Sequence, residues 1–165
     1  VRPRTDDDLD ACIEIAATVH ALDGYPPYLP NGDFRSLLTR PRSLAAYVAT
    51  TDDGSIGGHV ALNAARSNRA CRLASEALGC DETRLGVVAR LFTSPAARRN
   101  GFGRALLETA ASAARDRRLV PILDVWVELN SAIAMYEACG WRNLGTIEAE
   151  LPDGRVLPEY VFVSR

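Results

Sequence analysis

At 165 residues the chain is long enough for one hydrophobic core and short for two. With 47% hydrophobic and 24% charged residues it reads as an ordinary globular domain, and a net charge of −2 excludes broad electrostatic binding to nucleic acid. No apolar run reaches the length of a membrane span and no basic-then-apolar leader opens the sequence, so no membrane partner is expected and the cytoplasm is the expected compartment.

Thr5-Asp6-Asp7-Asp8 signals a helix start, and Leu9, Cys12, Ile13, Ala16, Ala17 and His20 follow at helical spacing. The turn formers and aromatics from Asp23 to Asn31 make a loop, and a short helix from Asp33 to Leu38 comes next. Ala45 to Thr50 and Ser55 to Asn63 read as the strands of a hairpin turning at Asp52-Asp53-Gly54. Residues Ala64 to Arg84 carry mixed signals, with a helical patch at Cys71 to Leu78. Leu85 to Thr93 is a strand, and Gly103 to Arg117 is a long helix whose apolar face is Leu106, Leu107, Ala110, Ala111 and Ala114.

Val120 to Val127 is the next strand; Asn130 is placed to cap a helix through Ala138, which Gly140 ends in a left-handed turn. Two final strands, Leu144 to Leu151 and Val156 to Val163, turn at Pro152-Asp153-Gly154, and a short strand near Val1 can precede the whole. There is neither an internal repeat nor a low-complexity linker, so residues 1–165 are expected to form a single mixed α/β domain with one crossover at its centre.

All 19 basic residues are arginines, so every cation is a permanently charged planar fork and none can act as a catalytic base. Cys12, Cys71, Cys80 and Cys139 lack metal-ligand spacing and have only His20 and His59 beside them, so no metal is expected. Cys12 and Cys139 fall on apolar helical stripes and are expected to be buried, while Cys71 and Cys80 lie in the ambiguous segment and are the candidates for exposure.

The chemistry concentrates at Arg98-Arg99-Asn100-Gly101-Phe102-Gly103-Arg104, where a strand gives way to a helix. A helix N-terminus has unpaired N–H donors and a partial positive charge, so glycines and arginines there suit a phosphate. The same residues would also serve a tight connection with solvated arginines. A dinucleotide fingerprint is incomplete, since Leu106 stands where a third glycine belongs, and a GK[ST] phosphate loop is absent.

A second motif lies one helix and one strand later: Asn130-Ser131-Ala132-Ile133-Ala134-Met135-Tyr136-Glu137-Ala138-Cys139-Gly140-Trp141. At this point the chain resembles the GNAT superfamily of N-acetyltransferases. Arg98 to Gly103 matches that family's R/Q-x-x-G-x-G/A pyrophosphate motif, and Asn130 to Trp141 its later N…A…Y…G-F/W motif. The similarity is clear from about Leu85 to Trp141 and extends from Leu44 to the end, while the first forty residues resemble the family only in being helical.

The resemblance implies a mostly antiparallel twisted sheet flanked by about four helices and splayed between two central parallel strands. It also implies acetyl-CoA as co-substrate, with direct transfer to an amine in a ternary complex. Arg98, Arg99, Asn100, Gly101, Phe102, Gly103 and Arg104 would hold the pyrophosphate by side chain or backbone N–H. Leu91 and Thr93 would pair with the pantetheine arm, an N–H near Leu91 or Phe92 would face the thioester oxygen, and Asn130 with Ser131 would hold the arm's far end. Tyr136 takes the family's general-acid position, against the alternative of an ordinary core tyrosine.

Many members of that family carry a base as a Glu on the strand before the phosphate turn, yet Val87 to Leu91 offers only Arg90 as a charged residue. Glu128 is the first candidate for the base, His20 the second, and a water chain the third. Asp124, inside an apolar strand, is expected to pair with Arg90, and His59 to be a core or sheet-face residue. Acceptor selection is expected from the Asp23 to Asn31 loop, the helices around it and the final hairpin. Tyr25, Tyr28 and Trp126 would be apolar walls, and Asp23, Asp33 or Glu159 would meet a cation. A small-molecule amine is the expected acceptor, with a protein amine as the alternative, and the protein is expected to be a monomer or homodimer. The rival reading is a non-catalytic acetyl-CoA-binding sensor or interaction domain.

Overall fold

The computed structural model describes residues 1–29 and 32–164. Pro30 and Asn31, which end the loop expected from Asp23 to Asn31, lie outside the described residues.

The chain opens with a short strand, β1 (Arg2–Pro3), fastened to the start of the first long helix by a two-pronged ion pair from Arg2 to Asp8 at 2.6 and 2.7 Å. Asp8 also accepts from the Thr5 N–H at 2.7 Å, a capping box on the 3-10 turn Asp6–Asp8 that runs into α1 (Leu9–Asp23). Leu9, Cys12, Ala16 and Val19 are its buried stripe, and Gly24 at φ 69° ends it by donating to the His20 carbonyl. Asp33 caps α2 (Phe34–Leu38) by accepting from the Arg35 and Ser36 N–H groups. Strands β2 (Ser43–Thr50) and β3 (Ile56–Ala64) form the expected hairpin.

The ambiguous segment contains α3 (Arg69–Leu78), capped by the Asn68 side chain and closed by Gly79 at φ 62°. It lays Ala70, Cys71 and Ala74 on Ile122, Val161 and Val163 of the sheet, so Cys71 is only 1% exposed, contrary to expectation. Cys139, expected to be buried, is only half-buried.

Then come β4 (Leu85–Thr93), α4 (Phe102–Asp116), β5 (Val120–Trp126), α5 (Asn130–Ala138) and the closing hairpin of β6 (Arg142–Glu150) and β7 (Val156–Val163). Asn130 does not cap α5. A tight turn, in which the Asn130 N–H donates to the Glu128 carbonyl at 2.9 Å, draws Asn130 into the helix and leaves Leu129 at the cap.

All seven strands join one sheet in the order β1-β2-β3-β4-β5-β7-β6. Every pairing is antiparallel except β4 with β5, the crossover that α4 provides. With five helices on its faces, this is the mixed α/β architecture that the motifs implied. One face carries α4, whose Leu106, Leu107, Ala110, Ala111 and Ala114 pack with Val60, Leu62, Val88, Leu123, Val125 and Phe162. The other carries α1 over Val48 and Phe92, and α3 over β5 and β7.

Two irregularities sit at the centre. The parallel pairing of β4 with β5 covers only Leu85 to Val87 against Val120 to Ile122, and beyond it the strands part. On its other edge β4 bulges, so that Arg90 and Leu91 stand opposite Val60 alone, and Arg90 takes a left-handed backbone at φ 56°.

Among the described residues no helix is long and apolar enough to cross a membrane, and no three His, Cys, Asp or Glu side chains gather as metal ligands would.

Leu106 is fully buried where α4 meets the sheet. Leu106→Ala is expected to lower the free energy of unfolding by about 2–5 kcal/mol, read as a reduced urea midpoint at unchanged slope.

Candidate functional site

The start of α4 has the free donors and positive charge that could hold an anion. Gly101 at φ 80° and Arg99 at φ 65° turn the chain sharply, and the first helical bond runs from the Ala105 N–H to the Gly101 carbonyl at 3.0 Å. The N–H groups of Phe102, Gly103 and Arg104 therefore point out of the helix without a helical acceptor. No side chain caps them and the first turn holds no acid, while Arg98, Arg99 and Arg104 surround them on the surface. Cations crowding the positive end of a helix dipole are unfavourable until an anion joins them.

Gly101 has open space where a Cβ would be, and a Cβ on Gly103 would meet the Met135 sulfur of α5 at 3.0 Å. The starts of α4 and α5 thus stand side by side, with Asn100, Asn130 and Ser131 exposed along the same rim. Arg98 pairs with Asp23 at the end of α1, so the aspartate expected on the acceptor side holds the phosphate turn instead.

From this rim the gap between β4 and β5 runs into the sheet. After Val87 the edge of β4 that faces β5 has no ladder partner, and it carries Leu91, Phe92 and Thr93. His59 holds the bulge in place: its ring stacks on Phe92 at 5.2 Å and its Nδ1 lies 3.0 Å from the Arg90 carbonyl. A carbonyl only accepts, so Nδ1 carries the proton and Nε2 is left to accept from Arg4, 3.3 Å away. Burial pushes the His59 pKa down to about 4, so the ring is neutral at physiological pH.

Side chains from both faces of the sheet converge on the gap. Tyr136 of α5, 7% exposed, lies against Trp141 and Phe162 with ring centroids at 6.3 and 5.9 Å. Burial, with Tyr25 and Asp124 in electrostatic reach, pushes its phenol pKa far above the ordinary value. From the other face come Tyr25, Arg90, Asp124 and Glu159, each only partly buried, as expected of groups lining an open cleft. Tyr25 lies against Arg90; burial raises its pKa and the Arg90 charge and hydrogen bond oppose the rise.

Asp124 and Glu159 occupy neighbouring strands, with Trp126 directly opposite Glu159. Burial, then the charge and hydrogen bond of Asp124, raise the Glu159 pKa to about 8 against the pull of Arg66 and Arg90.

Asp124 does not form the expected ion pair with Arg90: no Arg90–carboxylate pair falls within 4.0 Å among the described residues. The bulge turns Arg90 toward Tyr25, and the parting of β4 from β5 separates it from Asp124. Glu128 lies in the exposed turn after β5. His20 meets Phe34 edge-on at 5.7 Å, and its buried Nδ1 has no hydrogen-bond partner among the described residues. Tyr28 lies beside Arg40 near the cleft.

The Asp124–Glu159 pair and the arginines Arg40 and Arg66 were not singled out by sequence reasoning as a unit. The one signal for Asp124 and Glu159 was charge within otherwise apolar strands, and Arg40 and Arg66, in loops, carried none. Two open surface concavities, of about 550 and 470 Å³, lie along α4 and share no residue with the cleft.

Residues 12–141 match the model of the acetyltransferase (GNAT) family. No curated protein sequence matches the chain. Among solved structures it is similar to a GCN5-related N-acetyltransferase from Kribbella flavida, at 21% identity over 99% of this chain and 95% of that one, with a TM-score of 0.70. It is also similar to the ribosomal-protein-S18-alanine N-acetyltransferase from Escherichia coli, at 20% identity over 98% and 89% of the two chains, with a TM-score of 0.67. Arabidopsis thaliana NAA60 in complex with acetyl-CoA gives 17% identity over 99% and 96%, with a TM-score of 0.73.

A phenol buried as Tyr136 is stays protonated through the range in which exposed tyrosines ionise, near about pH 10. An ultraviolet phenolate titration of Tyr136→Phe is therefore expected to lose no amplitude, relative to wild type, below about pH 11.

Proposed function

The chain belongs to the acetyltransferase (GNAT) family, and on that premise we propose that it moves an acetyl group from acetyl-CoA directly to the primary amine of a small acceptor in the cytoplasm. The observation that carries this reading is the gap between β4 and β5, with free helix N–H groups at its mouth and Tyr136 beside it. An anionic donor with an extended amide-bearing arm needs N–H groups for its phosphates and an unpaired strand edge for its amides, and the gap offers both.

In this reading the Gly101 to Arg104 backbone, with Arg98, Arg99 and Arg104, holds the pyrophosphate. Arg98 must then divide its charge between Asp23 and the ligand. The free edge from Leu91 to Thr93 pairs with the pantetheine arm, and Asn100, Asn130 and Ser131 border it at the rim. Bound there, acetyl-CoA supplies an acetyl thioester. A backbone N–H of Leu91 or Phe92 faces the thioester oxygen as it gains charge.

An alkylamine with a pKa near about 10 arrives as an ammonium and must lose a proton before it can attack. Glu159, with Asp124 beside it, takes this role in place of Glu128 or His20, since it is a carboxyl group with a raised pKa and a place in the cleft. Glu159 accepts the ammonium proton, the freed nitrogen forms its bond to the acetyl carbon, and the carbon–sulfur bond breaks. Tyr136, protonated when attack begins, gives its proton to the departing sulfur, and the second proton, shed by the nitrogen as the amide forms, restores the phenol. Tyr25, Tyr28 and Trp126 wall the acceptor side.

Release of free coenzyme A from acetyl-CoA across an amine library tests the reading. Tyr136→Phe is expected to lower kcat by roughly a hundredfold or more with little change in acetyl-CoA affinity. Equal turnover by wild type and variant removes Tyr136 from the reaction, and coenzyme A release that no amine stimulates favours a sensor.

The raised Glu159 pKa fixes the sign of a second expectation. The competent base is deprotonated, so kcat/KM should rise with pH through about 8 and level off above it. Glu159→Gln should lower the plateau and abolish that rising limb, whereas Glu128→Gln should keep it.

A further inference from the structure

Six arginines, Arg2, Arg35, Arg69, Arg98, Arg115 and Arg155, form ion pairs with carboxylates. Arg40, Arg66 and Arg90 form none among the described residues, yet the fold gathers them on the acceptor side of the sheet. The Ala64 N–H donates to the Arg42 carbonyl at 2.9 Å and the Arg42 guanidinium to the Ala65 carbonyl at 3.0 Å. These bonds lay the segment that carries Arg40, just after α2, beside the one that carries Arg66, just after β3.

Arg90 reaches the same region from the bulge, and its buried Nε has no hydrogen-bond partner among the described residues. The three are near enough for the charges of Arg90 and Arg66 to act on Arg40, which is itself partly buried. Tyr28 is within electrostatic reach of Arg40, and Tyr25 is hydrogen-bonded to Arg90.

Arg66 is exposed while Arg40 and Arg90 are partly buried, so the three permanent charges make a positive patch at the cleft that an anion would neutralise. Asp124 and Glu159 do not neutralise it. They form no ion pair with the three guanidinium groups among the described residues, and at most set two negative charges against three positive ones. The donor's phosphates do not neutralise it either, because their N–H groups and arginines lie at the start of α4.

We propose that the amine acceptor also carries an anionic group, a carboxylate or phosphonate, which Arg40, Arg66 and Arg90 bind while its amine meets Asp124 and Glu159. The acceptor is then a small zwitterion, oriented by opposite charges at its two ends. A planar guanidinium suits either anion, since both accept two parallel N–H bonds. The inference rests on the acetyl-transfer reading and adds the chemical class of its acceptor.

Coenzyme A release is to be measured for amines of graded chain length carrying a terminal carboxylate or phosphonate, each beside its neutral carboxamide. The anionic member of the best pair is expected to exceed its neutral partner in kcat/KM by about ten to a hundredfold, mainly through KM. Arg40→Gln and Arg66→Gln should each shrink that ratio, with acetyl-CoA binding by calorimetry reporting a folded protein. The carboxylate and phosphonate arms identify which anion is preferred. Equal use of neutral and anionic amines, or variants that leave the ratio intact, overturns the anion site while acetyl transfer stands. Acetyl-CoA binding with no amine-stimulated release in either arm instead overturns the transfer reading itself.

Discussion

Much of this molecule depends on one interruption in its sheet. Backbone N–H and C=O groups in a protein interior must be paired. Here the central parallel pair is laddered only from Leu85 to Val87 against Val120 to Ile122, and is then left open. Such a gap persists only if the strand beside it is held from its other edge. β3 does this through the Arg90 bulge, with His59 bonded to the Arg90 carbonyl and stacked on Phe92. A neutral, fully buried histidine suits the task, because it offers a fixed donor on one side and an acceptor for Arg4 on the other. Unpaired strand groups, costly elsewhere, are left here as free donors and acceptors along the edge of β4.

The gap also joins the two faces of the sheet. α4 and α5 lie over one face and bring the glycine–arginine turn and Tyr136. α1 and α3 lie over the other, where Tyr25, Arg90, Asp124 and Glu159 stand. Only where β4 leaves β5 can a phenol from one side come within electrostatic reach of carboxylates from the other. The Arg98–Asp23 pair ties these halves together at the surface, linking the phosphate turn to the end of α1.

A lysine-free chain sets its electrostatics with rigid forks. Most of the paired arginines lie at the exposed surface, where such pairs contribute little stability. Arg2 with Asp8 differs, since the carboxylate is buried and the guanidinium holds its pKa far below the usual range while tying β1 to α1. Arg40, Arg66 and Arg90 differ in the opposite way, being close together and lacking carboxylate partners among the described residues.

The sequence alone determined the local elements and the order of the motifs. Helical spacing located α1 and α4, turn residues located both hairpins, and two motifs in register identified the family and the crossover between them. These are short-range properties, set by periodicity, capping and turn chemistry within a few residues. Where local signals conflicted, as from Ala64 to Arg84, the outcome rested on the face of Ala70, Cys71 and Ala74 finding the sheet. The cleft was decided by tertiary structure alone. Asp124 and Glu159 are far apart in the chain and meet through strand pairing, while the bulge turns Arg90 away from its expected partner. A carboxylate's partner, burial and proton affinity depend on neighbours that spacing along the chain does not encode, so the glycine–arginine turn and its helix were legible in the sequence while the grouping of Asp124, Glu159 and Arg90 needed the fold.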